Sequence, residues 1–239
     1  MQANHKAYDF EKSRERMDEI LDSSDNNYQE SNKIPSIDDL TYTNGYHINC
    51  SALFIDLRDS KELATKHQKK VLAKIYRAYI SELVALLNGN PNIQQIYIEG
   101  DCVWGVFNTE IKSQIDSVFQ TACEANSLIQ TLNIKLKKKS YTQLKVGIGL
   151  HYGQALVIKA GYKGSAINEV TWIGELIGKT AKYCNDANKG WRKTIILSDI
   201  FYANLNDYNQ SLCQKVHNTD YYEGNLINAY MNKWVQDNG

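Results

Sequence analysis

Ala52-Leu53-Phe54-Ile55-Asp56-Leu57-Arg58-Asp59-Ser60 is an apolar run that ends on a carboxylate, and 45 positions further on Ile96-Tyr97-Ile98-Glu99-Gly100-Asp101-Cys102-Val103-Trp104 places a second carboxylate, Asp101, in a glycine-containing turn. A strand ending in an acid, then a long helix, then a hairpin whose turn carries another acid, brings both carboxylates to one edge of a sheet. Paired carboxylates at such an edge suit hard divalent cations held beside a triphosphate.

The pattern extends in both directions. An apolar strand runs from Tyr46 to Asp56. Leu63, Val71, Leu72, Ile75, Tyr79, Leu83, Leu86 and Leu87 form a stripe that predicts a helix over 60–87, stopped by Asn88-Gly89-Asn90-Pro91. Residues 93–98 and 102–107 read as two strands around the Glu99-Gly100-Asp101 turn. Ile115, Val118, Phe119, Ala122, Ala125, Leu128, Ile129 and Leu132 predict a second long helix over 112–136. It ends in Lys137-Lys138-Lys139, which either answers the helix dipole in water or grips phosphates. Residues 144–150 and 155–160 read as a hairpin around His151-Tyr152-Gly153-Gln154, and a helix is expected over 175–188. The order β, α, β, β, α, β predicts a ferredoxin-like α+β fold, an antiparallel-rich sheet with helices packed on one face.

Residues 1–45 read as an appended helix, 7–24, and a polar linker. The compact domain is expected over 46–232, and 233–239 reads as a tail. Lys plus Arg and Asp plus Glu are equal at 27 each among 239 residues, so no overall basic field favours nucleic acid. The five cysteines are scattered without CxxC spacing, which suits reduced thiols. No apolar run reaches the ~18–20 residues that cross a bilayer, and the polar N-terminus lacks a signal-peptide segment. The expectation is a cytoplasmic protein acting away from membranes.

Together these segments resemble the class III nucleotidyl cyclases. Phe54-Ile55-Asp56-Leu57-Arg58-Asp59-Ser60 is similar to the family's first metal strand, Glu99-Gly100-Asp101 to its GD hairpin, Val146-Gly147-Ile148-Gly149-Leu150-His151-Tyr152-Gly153 to its VGIHxG strand, and Trp172-Ile173-Gly174 to its base-binding and transition-state segment. The resemblance covers residues 46–232, with the segments in family order. It implies cyclisation of a nucleoside triphosphate with two divalent cations, Mn2+ or Mg2+, held by Asp56, Asp101 and the Leu57 carbonyl. It also implies a head-to-tail homodimer, because the metal acids and the base-reading segment belong to opposite partners.

By the same resemblance Lys145 stands where the family often has an arginine reaching the phosphates, and exposure at a strand edge is its other reading. Arg58 and Ser60, in the turn after the metal strand, fall beside the triphosphate, with a plain N-cap as the second reading of Ser60. Lys182 matches the transition-state arginine, while Gly178 stands in place of the family's asparagine; Asn185 and Arg192 are candidates to compensate. Purine cyclases carry Lys and Asp at the base-reading positions, which here are Tyr97 and Thr171. A phenol and a hydroxyl remove the purine-reading pair, unless they serve only as a core aromatic and a cap. This departure resembles the bacterial pyrimidine cyclases of Pycsar antiphage systems. It implies that UTP is converted to 3′,5′-cyclic UMP for a separate effector protein that responds to cyclic nucleotides, with CTP as the alternative substrate. A purine cyclase and an inactive nucleotide-binding module are the more distant readings.

Overall fold

The computed structural model describes residues 2–239. In chain order the elements are α1 Phe10–Leu21, β1 Tyr28–Ser31, β2 Gly45–Leu57, α2 Ser60–Lys66, α3 Lys69–Asn88, β3 Ile93–Glu99, β4 Cys102–Phe107, α4 Lys112–Lys137 and β5 Val146–Tyr162. They continue with β6 Ile167–Ile173, α5 Glu175–Asp186, β7 Ile195–Ser198, α6 Asp199–Ala203, α7 Asp207–Ser211, β8 Gln214–Lys215, β9 Tyr221–Gly224 and α8 Ala229–Asn238. The sheet order is β3-β4-β2-β5-β7-β9-β8, with β1 added beside β2 and β6 beside β5. The first four strands of that order are the antiparallel centre expected of a ferredoxin-like βαββαβ unit.

Strand alternation sorts β2 into two faces. Leu53, Ile55 and Leu57 enter one core with Ile75, Tyr79, Leu83 and Leu87 of α3 and with Val118, Phe119 and Ala122 of α4. Ile48, Cys50, Ala52 and Phe54 enter a second core with Trp104, Val157, Trp172, Leu176 and Cys184. Helices therefore cover both faces rather than one, α3 and α4 on the first and α5 on the second. Two glycines, Gly147 and Gly149, let α5 lie against the backbone of β5. A Cβ at Gly149 would stand 2.3 Å from the Cys184 nitrogen and 2.4 Å from the Thr180 oxygen.

The hairpin expected around 151–154 is absent. β5 runs straight through, and His151, Tyr152, Gly153 and Gln154 pair with Ala52, Ser51, Cys50 and Asn49 of β2. The chain reverses instead between β5 and β6, where Gly164 and Ala166 take positive φ. The helix expected over 60–87 is two helices. His67 is extended between α2 and α3, and its Nε2 accepts the Thr142 backbone N–H at 3.1 Å.

The polar stretch after α1 is fastened to the sheet: β1 pairs in parallel with β2, and Ile34 and Leu40 are buried in the second core. α1 itself buries no residue, and it meets the β5–β6 connection through the Lys163–Glu19 ion pair and Arg16 over the Tyr162 ring. Residues 233–238 of the segment expected as a C-terminal tail lie within α8, whose N-cap residue Asn228 is tied to Ser127 of α4. Among the described residues no helix is long and apolar enough to cross a membrane.

Candidate active site

Asp56 is the penultimate residue of β2, on the same face as Phe54. Gly100 (φ 65°) turns the β3–β4 hairpin, and the Ile55–Val103 pairing sets Asp101 next to Asp56. Burial pushes the Asp56 carboxyl pKa up, the Asp101 charge raises it further, and Arg58 and Lys189 pull it down. Asp56 and Asp101 together offer an oxygen-only donor pair suited to a hard cation. Among the described residues no three His, Cys, Asp or Glu side chains gather into a cage. A cation here would therefore complete its coordination with backbone carbonyl, phosphate and water oxygens.

Asp56 and Leu57 open onto a cavity of about 1000 Å3 that Ser60, Lys145, Asn185 and Lys189 also line. Lys145 thus lines the same cavity as Asp56. Lys189 is a cation that sequence reasoning missed. It follows α5 in a Lys-Gly turn, and its Nζ donates to Asn185 Oδ1 at 2.6 Å. Arg192, a candidate to compensate for the missing arginine, stacks over the Trp191 and Tyr221 rings instead.

Arg58 lines the same cavity, and its guanidinium is held by the protein's own groups. Its side chain is 7% exposed, Nη1 donates to Asp56 Oδ2 at 3.0 Å, Nε donates to Ala187 O at 3.0 Å, and Nη2 donates to Cys184 O. The guanidinium fork ties the C-terminal end of α5 to the Asp56 carboxylate, and only glycine at 147 leaves it room. Ser60 is not the N-cap of α2: Asp59 holds that place with φ 57°. Because α2 is seven residues long, the dipole expected from one long helix is that of a short one.

The positions expected to read the base lie elsewhere. Tyr97 stacks on Trp104 at 4.1 Å, and Trp104 stacks on Phe54 at 4.7 Å. The Tyr97 hydroxyl has Val170 O at 2.8 Å and Gln95 Oε1 at 2.5 Å as acceptors, and it accepts from Trp172 Nε1 at 3.2 Å. Burial pushes this phenol up to about 12, so it stays protonated. Thr171 is exposed between buried Val170 and Trp172, so alternation points it away from the face that meets Tyr97. The structure brings β6 to Tyr97 but not the Thr171 hydroxyl. Lys182 is exposed on α5, four residues from Gly178, where an added side chain would meet only open space. Neither residue lines the Asp56 cavity.

The sequence profile of the Adenylate and Guanylate cyclase catalytic domain matches residues 43–217. The chain belongs to this family of class III cyclases. The cyclase is 41% identical over 258 aligned positions to a uridylate cyclase of Gulbenkiania mobilis, covering 100% of both chains. It is 39% identical over 232 positions to a uridylate cyclase of Treponema porcinum, covering 95% of this chain and 81% of that one. The crystal structure of the guanylyl cyclase Cya2 superposes with a TM-score of 0.63 at 12% identity, covering 77% of this chain and 95% of that one, a likeness of fold. Cyclases of this class bind nucleoside triphosphates, use divalent metal ions and commonly dimerise.

Proposed function

We infer that this cyclase converts UTP to 3′,5′-cyclic UMP and pyrophosphate. The observation that carries the reading is the base-reading cluster: where a purine cyclase has an ammonium, Tyr97 stands stacked on Trp104 with its phenol held by Val170 and Trp172. That wall offers no cation to a purine ring nitrogen, and its bulk favours a smaller base. The two full-length relatives named uridylate cyclase support the same substrate.

In the reaction the ribose 3′-oxygen attacks the α-phosphorus, the bond from that phosphorus to the β-phosphate oxygen breaks, and pyrophosphate leaves. Asp56, Asp101 and the Leu57 carbonyl would hold two divalent cations, Mg2+ or Mn2+. Bound there, the ions acidify the 3′-hydroxyl and neutralise charge on the leaving group. Lys145 and Lys189 supply positive charge along the cavity wall where the phosphates would lie.

Asp56 and Tyr97 line separate concavities of one chain, which supports a homodimer in which each partner completes the other's site. Lys182, on the outer face of α5, would then act in the partner's site. A cytoplasmic role in antiphage defence, with a separate effector reading the product, completes the proposal.

Incubation with each of the four nucleoside triphosphates and Mn2+, followed by mass analysis of the products, tests the reading. Cyclic UMP is expected as the main product, and cyclic AMP in its place would refute the base argument. Asp56→Ala and Asp101→Ala are each expected to abolish turnover while the oligomeric state persists.

A further inference from the structure

Gln95 lies two residues before Tyr97 in β3, on the same side of the strand. Its amide oxygen is claimed from two directions: Trp172 Nε1 donates to Oε1 at 2.8 Å, and the Tyr97 hydroxyl stands 2.5 Å from the same atom. An indole N–H can only donate, so the atom facing it must be the amide oxygen. Turning the amide over would set two donors against each other. Trp172 therefore fixes the orientation of Gln95, and the amide nitrogen, which has no hydrogen-bond partner among the described residues, carries the cluster's free donors. Tyr97 has no second proton to offer, because its single O–H is directed to Val170 O or to Gln95 Oε1. Gln95 and Tyr97 line a concavity of about 350 Å3 with Ile37, Ile96, Glu169 and Val170.

Uracil and cytosine differ at position 4 of the ring, where uracil carries a carbonyl that accepts and cytosine an amine that donates. A locked NH2 group satisfies the carbonyl and opposes the amine. We propose that Gln95, held in one orientation by Trp172, is the specificity-determining residue that selects UTP over CTP by donating to the uracil 4-carbonyl. Tyr97 supplies the wall against which the base lies, and Trp172 acts as a positioning residue. The inference rests on the reading of the chain as a pyrimidine cyclase that takes its base against Tyr97.

The experiment compares wild type, Gln95→Glu and Trp172→Phe. Gln95→Glu keeps an oxygen for Trp172 and Tyr97 but exchanges the free NH2 for an acceptor. Trp172→Phe leaves Gln95 in place and frees it to turn over. For each protein, kcat/KM is measured with UTP and with CTP, and equilibrium binding is measured with the α,β-methylene analogues of both. The expected result is a UTP preference in wild type that falls by about tenfold to a hundredfold in Gln95→Glu, the scale of one reversed hydrogen bond. In Trp172→Phe it should move toward parity. Equal losses with both nucleotides, or an unchanged ratio in Gln95→Glu, would overturn the assignment and leave Gln95 a structural residue. Should wild type form no cyclic pyrimidine nucleotide, the cyclase reading fails by itself, because the binding ratio still tests Gln95. Binding of neither analogue by wild type would overturn both.

Discussion

Arg58 separates two accounts of the Asp56 edge of the sheet. As a phosphate ligand its loss would weaken nucleotide binding and leave the fold intact. In the structure its loss strips a hydrogen bond from each of two carbonyls at the end of α5, Cys184 O and Ala187 O, and leaves Asp56 unpaired. Breaking a buried ion pair by removing one partner costs about 3–5 kcal/mol, and hydrogen bonds to a charged group contribute about 1.5–3 kcal/mol each. Because the Asp56 side chain is 31% exposed, solvent screens part of the ion-pair contribution. A net loss of about 3–5 kcal/mol is therefore expected for Arg58→Met, which corresponds to a melting temperature lower by about 6–20 °C for a chain of this size. Arg58→Lys, which keeps the charge but not the fork, should fall between. The assay is thermal unfolding at fixed protein concentration without nucleotide, alongside titration with a UTP analogue. If Arg58→Met melted like wild type while binding the analogue tenfold more weakly, the structural role would be refuted.

Gly149→Ala presses a methyl group onto the α5 backbone, which cannot turn aside, so a loss of about 3 kcal/mol or failure to accumulate as folded protein is expected; wild-type unfolding would show that α5 can lift. His151, buried and donating to or accepting from Ser198 Oγ at 2.7 Å, is held down to about 4, chiefly by burial and then by the Lys179 charge, against Glu175, Asp199 and Asp220. The unfolded histidine binds its proton near pH 6.5 and the folded one near 4. Stability from this group is therefore full above about pH 6.5, declines by about 3 kcal/mol as pH falls to 4, and changes no further below that. Denaturant unfolding across this range should show the slope reduced in His151→Gln, and an identical slope would disprove it. Lys189→Ala should raise the UTP KM by about tenfold without shifting the melting temperature, the signature of an exposed charge that meets phosphate; an unchanged KM would remove Lys189 from the site.

The parts of this fold that rest on local periodicity were legible. The stripe of α4 and the Gly100 turn of the β3–β4 hairpin need no distant partner to be recognised. His151-Tyr152-Gly153-Gln154 misled because it has turn-like composition, whereas its conformation is set by an uninterrupted ladder with β2. The partners of Arg58 were hidden for a similar reason. Its closeness to Asp56 in the chain suggested a shared ligand, but the slot that receives it is made by Gly147 and α5, both far away in sequence. Gln95 could have been found: it is one strand repeat from Tyr97, and alternation alone puts the two on one face. Lys189 could not, since only the packing of α5 brings its turn to the cavity.

The β2–β5 ladder also decides the order in which the molecule can be made. Its register joins Gly45 with Ile158 and Leu57 with Val146, so partners are separated by on the order of 100 residues. During synthesis at about 5–20 residues per second, β2 leaves the ribosome roughly 5–20 s before the strand that covers its second edge. β4 arrives sooner and takes the first edge, from Ser51 to Ile55. For those seconds the nascent chain carries a long apolar strand with one row of backbone groups open, the feature most apt to pair with a neighbouring chain. Slower growth at low temperature does not shorten that wait, whereas a chaperone that shields β2 until residue 158 has emerged removes its hazard.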